Sequence, residues 1–490
     1  MFSRSLKRFI SRQDEVLARL QKIIDPDLHR DIVSLGFVKN MEISSDGAVR
    51  FDLELTTPAC PVKEQFVDAC KSVIQGVGGG IPLLFPGAPP SPLTWVSSVA
   101  VTLSAKQSPV KASGDGLRAV QSIIAVASCK GGVGKSSIAT NLAFLLAHEY
   151  GAKVGLLDAD IYGPSLPVLV PCAKQADLDV SLKQQIRAYE HEGVKLMSMG
   201  YLRPGESVAL RGPMASGMVQ QMLTMTGWGE LDYLVIDMPP GTGDIQLTIG
   251  QHAKIDGCVV VTTPQQLSLA DVEKGIELWN KMKIPNLAVV ENFSYFDCGN
   301  CNERHEIFAK SGGSKKIAEK FGIEHVIQVP IEKAISETAD SLHFPFVSKP
   351  GNSKLPSYKA LKELAEIVVR GVAKAKYEDV GFEMIQQGDL LIAKETSTAT
   401  GDLLWNGSVS CRSLRLACKS AVMIDEWTGE KRYDEKKIPA DVRPNKIEPA
   451  GRYALRVEWS DGHHSIFPIK AIKALIAEQD NGKLADVRNA

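Results

Sequence analysis

No apolar run in this 490-residue chain reaches the roughly 18–20 residues that a membrane-crossing helix requires. Cysteine is scarce as well. Nine scattered residues cannot form a disulfide scaffold, and they suit a reducing compartment better. Neither sign of charge dominates: 56 Lys and Arg face 57 Asp and Glu, a formal net charge of −1. This balance argues against a protein held to nucleic acid over its whole surface. Internal repeats and low-complexity tracts are absent too. What is present, 44% hydrophobic and 23% charged residues, is the composition of a globular protein with real cores. Its length suggests roughly three domains. Secreted, fibrous, disordered and integral-membrane classes are excluded.

The segment 1–13 carries Arg4, Lys7, Arg8 and Arg12, with Phe2, Leu6, Phe9 and Ile10 on one helical face. Such a composition is that of an organellar presequence, closer to the mitochondrial than the plastid type, and equally that of a frayed basic terminus. The expected location is intracellular, in an organelle matrix or stroma, with the cytosol as the alternative.

Residues 14–104 read as a small α+β domain. Val16, Leu17, Leu20, Ile23 and Ile24 recur at helical spacing, and Val49, Phe51, Leu53 and Leu55 alternate as in a strand. Pro61 opens a second helix, and a strand near 96–103 closes the domain. Gly76 to Leu93 reads as a Gly/Pro-rich inserted loop whose Leu, Ile and Phe residues would be unusual if exposed. The segment 105–118 reads as a linker. Over 119–376, apolar strands near 123–128, 153–158, 194–199, 232–237, 257–262 and 286–291 alternate with helical stretches. That rhythm predicts an α/β domain with a parallel sheet covered on both faces. A second linker is expected at 377–398. The segment 399–480 reads as a small β-rich domain with a hairpin at 453–467 and a short helix near 468–477.

The strongest chemical signal is Cys129-Lys130-Gly131-Gly132-Val133-Gly134-Lys135-Ser136-Ser137, after an apolar strand and before an amphipathic helix. Glycines there let successive backbone N–H groups face one anion, and the helix N-terminus adds partial positive charge. Lys135 would reach the β- and γ-phosphates of ATP, and the Ser136 hydroxyl would bind Mg2+. A simple phosphate loop has no use for a lysine at position 130. Here the chain resembles the deviant Walker A ATPases, which include the MinD, ParA, ArsA and Mrp types. The resemblance implies that Lys130 reaches the nucleotide of a facing subunit in a homodimer. It further implies that Asp160, in Asp158-Ala159-Asp160, positions the attacking water. By the same resemblance Asp237, in Leu234-Val235-Ile236-Asp237, is the Walker B carboxylate near Mg2+, and Met238 to Asp244 is the second switch.

Cys298-Gly299-Asn300-Cys301 alone fits a redox pair, half a zinc site or half an iron–sulfur site. Nothing like a thioredoxin unit surrounds it. For zinc the segment offers Cys298, Cys301 and His305, one donor short of four. Two chains facing across a two-fold axis would supply four thiolates, the set for a bridging 4Fe–4S cluster. Together DADIYGPS, RGPM, IDMPPGTGD and ENFSYFDCGNC resemble the Mrp branch of iron–sulfur carrier ATPases. That resemblance implies an ATP-dependent carrier that assembles a labile 4Fe–4S cluster on Cys298 and Cys301 of a homodimer. It takes the cluster from an upstream donor and passes it to apoproteins, and Asn292 contacts adenine. The flanking domains agree. Asp25-Pro26-Asp27-Leu28 and Leu55 to Pro61 resemble the SufT/PaaD-like assembly domain. Cys60, just ahead of a helix N-terminus that favours its thiolate, reads equally as an iron–sulfur handling residue and as a small buried residue at a helix cap. Leu414-Arg415-Leu416 with Asp425 to Gly429 resembles the γ-butyrobetaine hydroxylase-like domain. Zinc-binding versions of that domain cluster their cysteines, whereas this chain has Cys418 alone there, so no zinc is expected. The competing readings are a MinD- or ParA-type positioning ATPase acting on membrane or DNA, and a scaffold in which nucleotide only fixes shape.

Overall fold

The computed structural model describes residues 11–28, 30–55, 57, 59–76, 84, 91–105, 115–171, 185–204, 211–241, 243–301, 303–308, 312–340, 345–349, 351–377, 380–397, 403–418, 438–450 and 454–477. The chain divides into two units, residues 1–108 and 109–490.

In the first unit, helix α1 (Arg12–Leu20) starts where Ser11 and Asp14 cap each other's backbone. Strands β1 (Val38–Ile43), β2 (Ala48–Leu55) and β3 (Ser98–Ala105) form a sheet in that order, β1 antiparallel and β3 parallel to β2. The alternation of β2 buries Val49, Phe51, Leu53 and Leu55 against Phe66, Cys70 and Val73 of helix α2 (Lys63–Gln75). Helix α2 therefore begins two residues after Pro61. Within 76–93, Leu84 is fully buried in this core, and its carbonyl accepts from the Ile24 amide at 3.0 Å. At Leu84 the segment packs into the core as part of the fold. The rest of its centre lies outside the described residues, as do residues 1–10 of the basic segment and most of the 105–118 linker.

The second unit is built on strands β4 (Val120–Ala127), β5 (Val154–Asp158), β6 (Tyr189–His191), β7 (Val194–Ser198), β8 (Leu231–Asp237), β9 (Gly257–Thr262) and β10 (Asn286–Asn292). A short hairpin, β11 (Phe296–Asp297) and β12 (Arg304–His305), stands apart, and β13 (Val326–Val329) completes the main sheet. The order is β13-β10-β9-β4-β8-β5-β7-β6. All seven strands from β13 to β7 run parallel. Three-residue β6 is an antiparallel edge, folded back on β7 through Glu192 and Gly193, both at positive φ. Helix α3 (Lys135–His148) buries residues on every side and lies against the sheet.

The stretch 377–398 is not a linker. Strands β14 (Val380–Gln387) and β15 (Leu390–Ser397) pair through a two-residue turn at Gly388-Asp389, where φ of Gly388 is 63°. Met384, Leu391 and Ala393 face inward, which is why the segment folds. Strand β16 (Leu403–Ser410) extends this sheet, and β17 (Pro444–Ala450), β18 (Ala454–Trp459) and β19 (His464–Pro468) form a second one. The two sheets share a core containing Val409, Leu414, Val457, Trp459 and Phe467. At its edge Arg415, 2% exposed, donates from Nε to Asp461 Oδ2 at 2.9 Å. Removing one partner of a buried ion pair leaves the other uncompensated. Arg415→Ala is therefore expected to destabilise this part of the chain by about 3–5 kcal/mol. Urea unfolding followed by fluorescence of Trp459 checks it.

Candidate functional site

Three strand ends in register assemble the site. Val126 of β4 lies opposite Asp237 of β8, and Asp237 lies opposite Asp158 of β5. Ligands bind at such carboxyl ends in open parallel sheets. The loop leaving β4 turns through Gly132 and Gly134, at φ 78° and 83°, a region that disfavours any side chain. Helix α3 then starts at Lys135 with no side chain capping its first turn, which leaves its amides facing the loop. Ser128 Oγ donates to the Lys130 carbonyl at 3.0 Å, and Lys130 itself is half-exposed.

Lys135 is 7% exposed and donates to Asp237 Oδ1, with Ser136 Oγ 3.4 Å from the same ammonium. Burial raises the Asp237 carboxyl pKa against the pull of Lys135 and Ser136. Asp158 accepts from the amides of Asp160, Ser165 and Leu166 and from the Ser198 hydroxyl, at 3.0–3.1 Å. Burial, and then repulsion from Asp237, oppose these bonds and push its pKa up to about 7. Raised above the unfolded value of 3.8, this carboxyl makes the folded chain bind more protons than the unfolded chain between about pH 4 and 7. Its contribution to stability is fully present below the unfolded pKa and is lost as pH rises through 7. Melting of nucleotide-free protein across that window is expected to fall with rising pH, with a shallower slope in Asp158→Asn.

Asp160 turns its carboxylate into its own loop, accepting from Tyr162 N at 3.2 Å and Gly163 N at 3.1 Å. The turn after β8 is tied back by Gly241 N, which donates to Ser128 O at 3.0 Å. Gln246, 1% exposed, donates to Pro239 O at 3.0 Å and also to Gly241 O. Sequence reasoning missed Gln246, because a polar residue inside a helix carries no signal until its partners are known.

At the end of β10, Asn292 Nδ2 donates to the Val133 carbonyl at 2.9 Å, so this side chain braces the phosphate loop. A Cβ at Gly134 would lie 2.2 Å from that nitrogen. Phe293 follows at φ 57°, and Ser294 is held at both N and Oγ by Val329 O. The β11–β12 hairpin begins two residues later. Its base is locked by Arg304, which makes a bidentate pair with Asp297 (3.0 and 3.3 Å) and stacks 3.6 Å from the Tyr295 ring centroid. Cys298 N donates to Glu303 O, closing the turn. Hydrogen bonds from the Cys301 and Asn300 amides, then from the Cys301 thiol, hold the Cys298 pKa below the ordinary thiol value. Cys298, Cys301 and His305 place Sγ, Sγ and a ring nitrogen within 4.8 Å of one another, with Cys301 Sγ 3.6 Å from His305 Nε2. Among the described residues this is the one group of three or more such donors.

Cys60 belongs to the other unit, half-buried against its core and three residues ahead of the uncapped helix α2. Cys418 has company that sequence spacing did not reveal. His463 Nε2 lies 3.3 Å from its sulfur, and Ser465 Oγ 3.2 Å.

Three family profiles match the chain. Residues 119–369 match the NUBPL iron-transfer P-loop NTPase family, 13–81 an iron–sulfur cluster assembly protein family, and 404–472 the N-terminal region of γ-butyrobetaine hydroxylase-like proteins. The rice protein named Fe-S cluster assembly factor HCF101, chloroplastic, is 40% identical over 465 residues, covering 94% of this chain and 82% of its own. An Escherichia coli K12 protein named iron-sulfur cluster carrier protein is 45% identical over 249 residues, 51% of this chain and 67% of its own. A solved nucleotide-binding protein from Archaeoglobus fulgidus, in complex with ADP, is 38% identical at a TM-score of 0.43. That alignment covers 49% of this chain and 94% of the archaeal one.

Proposed function

We propose that this chain, which belongs to the family of NUBPL iron-transfer P-loop NTPases, is an ATP-dependent carrier of 4Fe–4S clusters. The cluster is its cargo, held between two copies by Cys298 and Cys301 of each and delivered to apoproteins. One observation carries the reading: strand β10 ends in Asn292, which grips the phosphate loop, and six residues later the same backbone presents Cys298.

The two sites have complementary chemistry. Oxygen donors from Ser136 and Asp237 suit a hard divalent cation, whereas the thiolates suit iron. Bound together with nucleotide, Mg2+ supplies charge neutralisation at the phosphates. Lys135 leaves Asp237 for the β- and γ-phosphates, the α3 amides and loop glycines receive the same anion, and Lys130 reaches across to the partner's nucleotide. Asp160 swings out of its loop to orient the attacking water. Nucleotide in the loop changes what Asn292 touches, and Asn292 and Phe293 pass that change to the hairpin. Cys60 is a second iron–sulfur handling point, and the cluster donor and clients are partners in this scheme. An organelle interior is the proposed setting, in line with the rice relative's name.

The membrane-binding form of the positioning-ATPase alternative needs a free amphipathic helix, and the DNA-binding form a basic surface, which the formal net charge of −1 disfavours. Residues 469–477 do not provide that helix, because Ile472 and Ile476 are buried in the C-terminal core.

Anaerobic reconstitution with iron and sulfide tests the proposal. About four irons and four sulfides per pair of chains, with a visible thiolate-to-iron band, is the expected result. Protein that takes up neither would refute it.

A further inference from the structure

Within a single chain the hairpin presents three metal donors, one more than a bridging cluster takes from each subunit. Their spacing is informative. Around one tetrahedral ion with bonds of about 2.3 Å to sulfur and 2.0–2.1 Å to nitrogen, neighbouring donors sit about 3.5–3.8 Å apart. The Cys301–His305 separation of 3.6 Å matches such an edge, and the whole triad fits within 4.8 Å. A 4Fe–4S cluster asks for something else, since each thiolate ligates its own iron corner and the two sulfurs of one chain must spread apart. The hairpin also fixes the backbone on which these donors sit. Arg304, between Glu303 and His305, locks β12 to β11 through Asp297 and Tyr295, and Cys298 N bonds Glu303 O across the turn. All three donors reach the surface, Cys298 in part and Cys301 and His305 exposed, which leaves room for an external fourth ligand.

We infer that Cys298, Cys301 and His305 of one nucleotide-free chain form a mononuclear site for a single divalent transition ion of borderline softness. Fe2+ and Zn2+ are the natural candidates, with the fourth position open. The inference rests on the carrier reading only in placing both functions on one hairpin. The lone chain holds one ion through two sulfurs and a nitrogen. Pairing of two chains around a cluster spreads the thiolates and releases His305. The same segment thus has two metal states, distinguished by subunit number and by the use of His305.

Cobalt(II) is the probe, titrated anaerobically and without sulfide into full-length, nucleotide-free protein whose mass in solution is measured alongside. One Co2+ per single chain is expected, with thiolate-to-metal charge transfer in the near ultraviolet and tetrahedral d–d bands in the visible. His305→Ala should weaken binding at least about tenfold and move the d–d bands, because a water or buffer ligand replaces the imidazole. His305→Cys should restore affinity with a spectrum shifted toward three thiolates. Competition with Zn2+ and with Fe2+ then ranks the two candidate ions. One ion per two chains, or an affinity and spectrum indifferent to His305→Ala, would overturn the inference. Iron–sulfide reconstitution of the same wild-type preparation is read separately. Its failure would remove the cluster reading and leave the cobalt result standing.

Discussion

The Cys298→Ser/Cys301→Ser protein is expected to carry no cluster after anaerobic reconstitution while still binding nucleotide. A serine hydroxyl is not ionised near neutral pH, so it cannot replace a thiolate whose charge is already favoured by two amides and a neighbouring thiol. Both thiols sit on a surface hairpin whose closure depends on the backbone and on Arg304, Asp297 and Tyr295, none of which the substitution touches. Folding of the nucleotide site should therefore survive, with an unchanged melting temperature and unchanged ATP affinity. Iron analysis and the visible spectrum read the loss, and nucleotide titration reads what is kept. Wild-type iron content in the double variant would place the cluster elsewhere.

Lys135→Ala should lower ATP turnover by about 100- to 1,000-fold, the range for losing one preorganised charge at a transferring group. The lysine is buried, already bonded to Asp237 and within 3.4 Å of Ser136 Oγ, so its charge is held in place before nucleotide binds. A second consequence separates this variant from a simple binding mutant. Without the ammonium, Asp237 and Asp158 remain as two buried carboxylates whose proton affinity rises further. The pH-dependent loss of stability should then become steeper and extend to higher pH. Phosphate-release assays at saturating ATP measure the first effect, and melting curves across pH the second.

Motifs built from residues close together in the chain are legible in the sequence itself. The glycine pattern of the phosphate loop, the carboxylates ending β5 and β8, and the Cys-x-x-Cys pair all appear where strand ends bring them. Six core strands are legible because fully apolar runs mark strands buried on both faces. Marginal edges are not. Strand β6 has three residues and β13 four, too short for periodicity to register. The β14–β15 hairpin does carry a signal, Gly388-Asp389 between Phe382, Met384 and Ile385 on one side and Leu390 to Ala393 on the other. Its polar flanks outweigh that signal, and the segment reads as a linker. Contacts between residues far apart in sequence cannot be read from it at all. Asn292 on Val133 and His463 beside Cys418 exist only once the chain has folded.

The most direct test of an ATP-dependent carrier is delivery itself. Cluster-loaded protein is mixed anaerobically with an apo 4Fe–4S enzyme whose activity returns on cluster insertion, with Mg2+ and ATP, with Mg2+ and ADP, or with neither. The account expects activity to return, at a rate that changes several-fold with the nucleotide present, and not at all from the Cys298→Ser/Cys301→Ser protein. Activation at one rate in all three conditions would contradict the ATP dependence, and no activation would contradict the carrier function.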